Sequence, residues 1–138
     1  IEQAAGRKVL SMIEVTLKEL QQRQWNKVGV LGLGNPIVYT RPLGELNLAC
    51  ETIAGELRAR LDGAIMKVME GQDDAGSAAI AREAVAALRA KNVDGIILGC
   101  TELPLLLKEQ ASETDLMNPA ELLAEAAVRH ALAQQKGD

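Results

Sequence analysis

Residues 93–107, "VDGIILGCTELPLLL", decide how the chain is read. An acidic turn leads into a short apolar run (95–99) that closes on Gly99. Such a run, bounded by turn residues, has the length and character of a buried parallel strand. It gives way at once to Cys100, Thr101 and Glu102, and then to a leucine-rich segment expected to be helical from Leu103 to about Gln110. Pro104 suits the first turn of that helix, where the amide it lacks would have had no helical partner. The stretch is therefore a strand-to-helix junction with a thiol at the joint.

Working outward, the same alternation recurs. "KVGVLG" (27–32) is a second apolar run closing on glycine and reads as a buried strand. "LGNPIVYTRP" (33–42) is rich in turn residues and is expected to be a loop, with a short helical piece after Pro42. A brief strand is expected within 48–53. Leu57, Leu61, Ala64, Ile65 and Val68 then mark an amphipathic helix, and Ile80, Ala84, Val85 and Leu88 mark another, with Asp73 or Asp74 as its N-cap. "ETDLMN" supplies a last short strand. Asn118, Pro119 and Glu121 fall at the N-cap, N1 and N3 positions of a closing helix (119–134), with Leu122, Leu123, Ala126, Ala127 and Leu132 facing inward. At the other end, Val9, Leu10, Ile13, Leu17 and Leu20 share one helical stripe in residues 1–24.

Strands alternating with helices predict a three-layer α/β fold, a small parallel sheet flanked by helices. The organisation expected is one α/β domain over 1–138: an incoming helix (1–24), a core (27–117) and the closing helix.

Composition narrows the function classes. The 138 residues include no Phe, one Trp and one Tyr, so the core must be aliphatic. A net charge of −4 without a Lys/Arg cluster argues against nucleic acid as a partner. No apolar run approaches the ~18 residues of a membrane span, and no signal peptide opens the chain. Two unpaired-looking cysteines suggest reduced thiols and a cytoplasmic protein. His130 and two distant cysteines are too few for a zinc site, and His130 itself reads as a solvated residue near a helix end. The chain opens on Ile1 inside a helical pattern, which suggests that it was cut from something longer.

In α/β folds ligands gather at the carboxyl ends of strands. That singles out the loop after 27–32 and the Gly-Cys-Thr-Glu after 95–99. Gly99 permits close backbone approach, and Thr101 is positioned to cap the next helix. A thiol beside a helix N-terminus is expected to ionise more readily than a free one, and the same amides can hold a carboxylate. The bland alternative is a small buried side chain packed like alanine. Glu102 is equally open, as a helix-start carboxylate or a group that orients a ligand amine.

"DGIILGCTELPLLL" closely resembles the second cysteine motif of the aspartate/glutamate racemase superfamily, the cofactor-independent amino-acid racemases. "KVGVLG", Tyr39 and "DLMNPAELLAEAAVRHAL" resemble that family's second-half strand, tyrosine, and closing strand and helix. The resemblance covers nearly the whole chain but only the C-terminal half of a family member. It implies two-base proton transfer without a cofactor: one thiol removes the α-proton of aspartate or glutamate, and a second, on the opposite face, returns one. Cys100 would be one of the two thiols, with Thr101 and Glu102 on the substrate. The family's Thr-rich carboxylate-binding loop is shortened here, and Asn35 and Tyr39 would take over part of its role. The partner motif, Cys followed by Asn-Thr, would lie in a missing N-terminal domain, because "NLACETI" around Cys50 matches a structural segment. A homodimer is expected by resemblance alone. A decarboxylase or isomerase of a small dicarboxylate using one Cys, or a non-catalytic binding domain, remains the alternative. "GLGNP…TR" also resembles the opening of bacterial peptidyl-tRNA hydrolases, but Pro42 stands where their catalytic His follows Thr-Arg.

Overall fold

The computed structural model describes Gly6 and residues 9–72 and 75–135. Four parallel strands form one sheet in the order β2-β1-β3-β4: β1 (Lys27–Leu31), β2 (Ala49–Thr52), β3 (Gly95–Leu98) and β4 (Leu116–Met117). The helices are α1 (Met12–Arg23), α2 (Ile37–Glu45), α3 (Gly55–Met69), α4 (Ala75–Arg89), α5 (Leu103–Leu107) and α6 (Pro119–Gln135), with a 3-10 turn at Lys108–Ser112. The fold is the expected three-layer α/β arrangement. The aspartates expected to cap α4 lie outside the described residues.

The chain divides into two compact units, Trp25–Asn118 and a second made of Ile1–Gln24 with Pro119–Asp138. In the second, Ser11 caps α1 by accepting from the Glu14 amide at 3.3 Å, and Gln24 closes it in a left-handed conformation. α1 packs against α6. Only Thr16 and Leu20 of α1 are fully buried, and Val9 of the expected stripe is exposed. Ala127 and Leu132 of α6 are exposed rather than inward-facing. Two apolar turns at the end of a helix satisfy helical periodicity whether or not anything packs on them.

β1 from Val28 on, β3 and β4 are buried, which explains why they are apolar without alternation; the edge strand β2 is only partly buried. Leu31, Ile96, Leu98 and Leu116 join Leu61, Ile65, Val85, Leu88, Leu103 and Leu106 in one aliphatic cluster on the side of α3, α4 and α5. Val28, Val30, Ile97 and Met117 fill the other face and are also buried. Leu57, Val68 and Ile80 border the cluster half-buried.

One difference from expectation matters for the site. α2 starts at Ile37, not after Pro42, and carries Pro42 inside it. Pro36 opens it at φ −76°, and its carbonyl accepts from the amides of Tyr39 and Thr40 at 3.0 and 3.1 Å. Pro42 forfeits one amide donor, to the carbonyl of the exposed Val38, where solvent can replace it. Turn-forming composition had concealed a helix that positions Tyr39.

Opposite the site, Asp94 ties the starts of β1 and β3 together. Its carboxylate accepts from the amides of Asn26 and Lys27 at 2.6 and 2.8 Å, and these bonds hold its carboxyl below the usual range. Arg89, at the end of α4, forms a two-pronged pair with Asp115 at 2.7 Å per bond, reaches Glu113 as well, and so anchors the short β4. The Trp25 ring lies on Gly95: a Cβ there would stand 2.2 Å from the ring. Gly95→Ala is therefore expected to cost about 3 kcal/mol by overpacking, read as a lower urea midpoint. A midpoint equal to wild type would show that the ring is not seated on β3.

Candidate active site at the carboxyl ends of β1 and β3

The strand order reverses direction between β1 and β3: the chain leaves β1 toward β2 and returns on the other side for β3 and β4. At such a switch point the loops after the two strands diverge and leave a crevice for a ligand. Here those loops are residues 32–36 and 99–102.

The two loops are drawn together by glycines. The Gly99 amide donates to the Leu31 carbonyl at 2.7 Å, extending the β1–β3 ladder one residue past the end of β3. A Cβ on Gly99 would stand 2.8 Å from that carbonyl oxygen and 3.0 Å from the Tyr39 ring, so no larger residue fits. Gly32 lies close by, its would-be Cβ 3.7 Å from the Gly99 carbonyl oxygen. Beyond it, Gly34 turns the loop at φ +59° and donates its amide to Asp62 Oδ1 of α3 at 2.8 Å.

These contacts set Cys100 half-buried at the end of β3. Its thiol donates to Glu102 Oε2 at 2.7 Å, and Thr101 Oγ1 donates to the same oxygen at 3.0 Å. The backbone amides of Glu102 and Leu33 weigh in favour of the thiolate. Burial and the Glu102 carboxylate push the thiol up from its ordinary value, outweighing the two amides. Glu102 responds in the opposite sense: donation from Cys100 and Thr101 holds its carboxyl below the usual range.

This reverses the expected ease of thiol ionisation. α5 has only five residues, Lys108 leaves it at φ 54°, and Glu102 occupies its N-cap without a side-chain capping bond. A one-turn helix offers little dipole, and the carboxylate at its head opposes a second negative charge. Thr101 does not cap α5 either, because its hydroxyl is committed to Glu102.

The remaining expected residues take different stations. Tyr39 is buried, its ring against Gly99, and burial raises its phenol. Asn35 is exposed on the loop after β1, its carbonyl accepting from the Ile37 amide at 2.7 Å. Cys50 pairs in register with Val28, which pairs with Gly95, so it is level with the start of β3. Leu98 alone lies three residues, about 10 Å, further along the strand direction. Cys50 and Cys100 therefore cannot face one ligand atom. His130 is exposed on α6. Among the described residues, no three His, Cys, Asp or Glu side chains are grouped to hold a metal, and no helix is long and apolar enough to cross a membrane. Asp62 escaped the sequence reading, since an acid between apolar helical positions looks like any solvated face.

If the Glu102 carboxylate holds the proton on Cys100, Glu102→Gln makes the thiol ionise at lower pH. The Cys100 peptide should then alkylate about threefold faster or more near neutrality, followed by mass spectrometry with iodoacetamide. An unchanged or slower rate would contradict that arrangement.

Comparison with known proteins bears on the fold and the family. A candidate Asp/Glu racemase from Yersinia pestis superposes with a TM-score of 0.82 at 26% identity, over 95% of this chain and 59% of its own. An aspartate racemase homologue from Pyrococcus horikoshii superposes at 0.69 with 25% identity, over 88% of this chain and 55% of its own. The aspartate racemase of Picrophilus torridus shares the fold, with a TM-score of 0.72 at 22% identity, over 88% of this chain and 52% of its own. The chain thus spans little more than half the length of these structures. The family model for Asp/Glu/Hydantoin racemases matches residues 1–131, and the chain belongs to that family.

Proposed function

We propose that this chain supplies one of the two proton-transfer thiols of a cofactor-independent amino-acid racemase, with aspartate or glutamate as the substrate class. The observation that carries the reading is the placement of Cys100. It stands at the strand-order switch point, half-buried, with its thiol proton held by Glu102.

Near neutrality Cys100 holds its proton, since burial and Glu102 both disfavour the thiolate. It therefore enters the reaction as the donor. The opposing base takes the α-proton from one face of the amino acid, and Cys100 delivers its own to the α-carbon from the other. The thiolate left behind is received by the amides of Leu33 and Glu102. Running the steps backward converts the other enantiomer, with Cys100 as the base. Thr101 and Asn35, both exposed at the crevice, are suited to hold the polar groups of the substrate.

Cys50 does not serve as the opposing thiol, because the register holds it toward the other end of the sheet. The second thiol is assigned to a preceding domain, so that this chain is the C-terminal half of the racemase. Coverage of little more than half of the similar structures supports that division.

In deuterated water the complete protein is expected to exchange the α-proton of L- and D-aspartate or glutamate. Cys100→Ser should slow exchange of at least one enantiomer by roughly a hundredfold or more. Exchange at the wild-type rate in that variant would remove Cys100 from the mechanism. Decarboxylated or isomerised product without exchange would favour chemistry at a single thiol.

A further inference from the structure

We infer that the corner formed by Thr101 and Glu102 binds the α-ammonium group of the substrate, so that this wall of the crevice recognises the amine and leaves the substrate carboxylates to the domain that supplies the other thiol. The inference deepens the racemase reading and rests on it for the identity of the ligand. Binding can be measured without turnover.

Hydrogen-bond donors and acceptors are unequally available at this corner. A cysteine or threonine side chain carries one donor, and an ionised carboxylate carries none. The Cys100 thiol donates to Glu102 Oε2 at 2.7 Å, and the Thr101 hydroxyl donates to the same oxygen at 3.0 Å. Both side-chain donors of the junction are therefore spent within it. Two donors on one oxygen also hold Glu102 in its ionised form. What remains for a ligand is the lone pairs of Thr101 Oγ1 and the second carboxylate oxygen, Oε1, which no donor reaches among the described residues. Thr101 is exposed and Glu102 is half-buried, both on the loop after β3. A corner that only accepts, and carries a negative charge, fits a group that only donates and carries a positive one. The α-amino group of a free amino acid is such a group near neutrality.

A carboxylate fares worse at the same place. Residues 32–36 (Gly-Leu-Gly-Asn-Pro) and 99–102 (Gly-Cys-Thr-Glu) contain no Lys, Arg or His. The Glu102 charge repels an anion, and the two side-chain donors beside it are engaged. Asn35 offers a neutral amide but no charge. The corner therefore discriminates an amino dicarboxylate from a dicarboxylate without the amine, which a single-thiol decarboxylase or isomerase would take.

The test is calorimetric binding of racemic aspartate and racemic glutamate by the complete protein; with racemic ligand no net reaction contributes heat. Each is compared with the analogue that carries methyl in place of ammonium, 2-methylsuccinate or 2-methylglutarate. In wild type the better-bound amino acid should bind at least about tenfold more tightly than its analogue. Glu102→Gln should weaken the amino acid by about tenfold or more, and should leave the analogue equal or tighter because the repelling charge is gone. Thr101→Val should weaken the amino acid about three- to tenfold and spare the analogue. Thr101→Ser keeps the acceptor and should stay within about twofold of wild type. A residue that merely held the shape of the loop would weaken both ligands together, and that result in Glu102→Gln overturns the inference. So does an analogue that wild type binds as tightly as the amino acid. Should Glu102→Gln fail to fold, Thr101→Val and Thr101→Ser decide by the same pattern. Exchange of the α-proton without preference for the amine overturns this inference and spares the racemase reading. Preference for the amine without exchange does the reverse, and binding of neither ligand overturns both.

Discussion

The bond from the Gly99 amide to the Leu31 carbonyl holds the site together. It continues the pairing of β1 and β3 one residue past the end of β3. It also demands that residue 99 lack a side chain, because the Leu31 oxygen and the Tyr39 ring occupy the space a Cβ would take. The loops after the two strands are thereby kept within hydrogen-bonding reach of each other at the strand-order switch. Without that closeness, Cys100 would have only its own turn for company. With it, the thiol lies where the two loops meet, its proton on the Glu102 carboxylate.

Around Cys100 the influences oppose one another, and on balance the protonated thiol is favoured. Burial and Glu102 favour the protonated thiol; the amides of Leu33 and Glu102 favour the thiolate. Glu102 contributes to both sides, its carboxylate on the thiol proton and its backbone amide on the sulfur. Thr101 shares the same carboxylate oxygen, which fixes the side chain's direction.

How far the sequence discloses this differs from element to element. β1 and β3 were legible because burial on two faces leaves the uninterrupted apolar runs "KVGVL" and "GIIL". α3, α4 and the start of α6 were legible from periodicity and from Asn-Pro-Ala-Glu. α2 was not, because two prolines and an asparagine argue locally for a turn, whereas the helix is settled by the burial of Tyr39 and Leu43. Cys100, Thr101 and Glu102 were found from a motif at a strand end, but the direction in which the thiol is shifted was not. That depends on the length of α5 and on the rotamer of Glu102, neither of which a motif specifies. Asp62 lies 28 residues from Gly34. No local pattern links an acid on a helix face to an amide in a distant turn.

The packing of Trp25 on Gly95 has a practical consequence. This is the protein's one tryptophan, and it rests at the foot of the strand whose other end leads to Cys100. Indole emission therefore reports the integrity of the β1–β3 pairing at one end of a four-residue strand, and sulfur reactivity reports the other. The two signals, one optical and one chemical, distinguish a variant that loosens the crevice from one that melts the sheet beneath it.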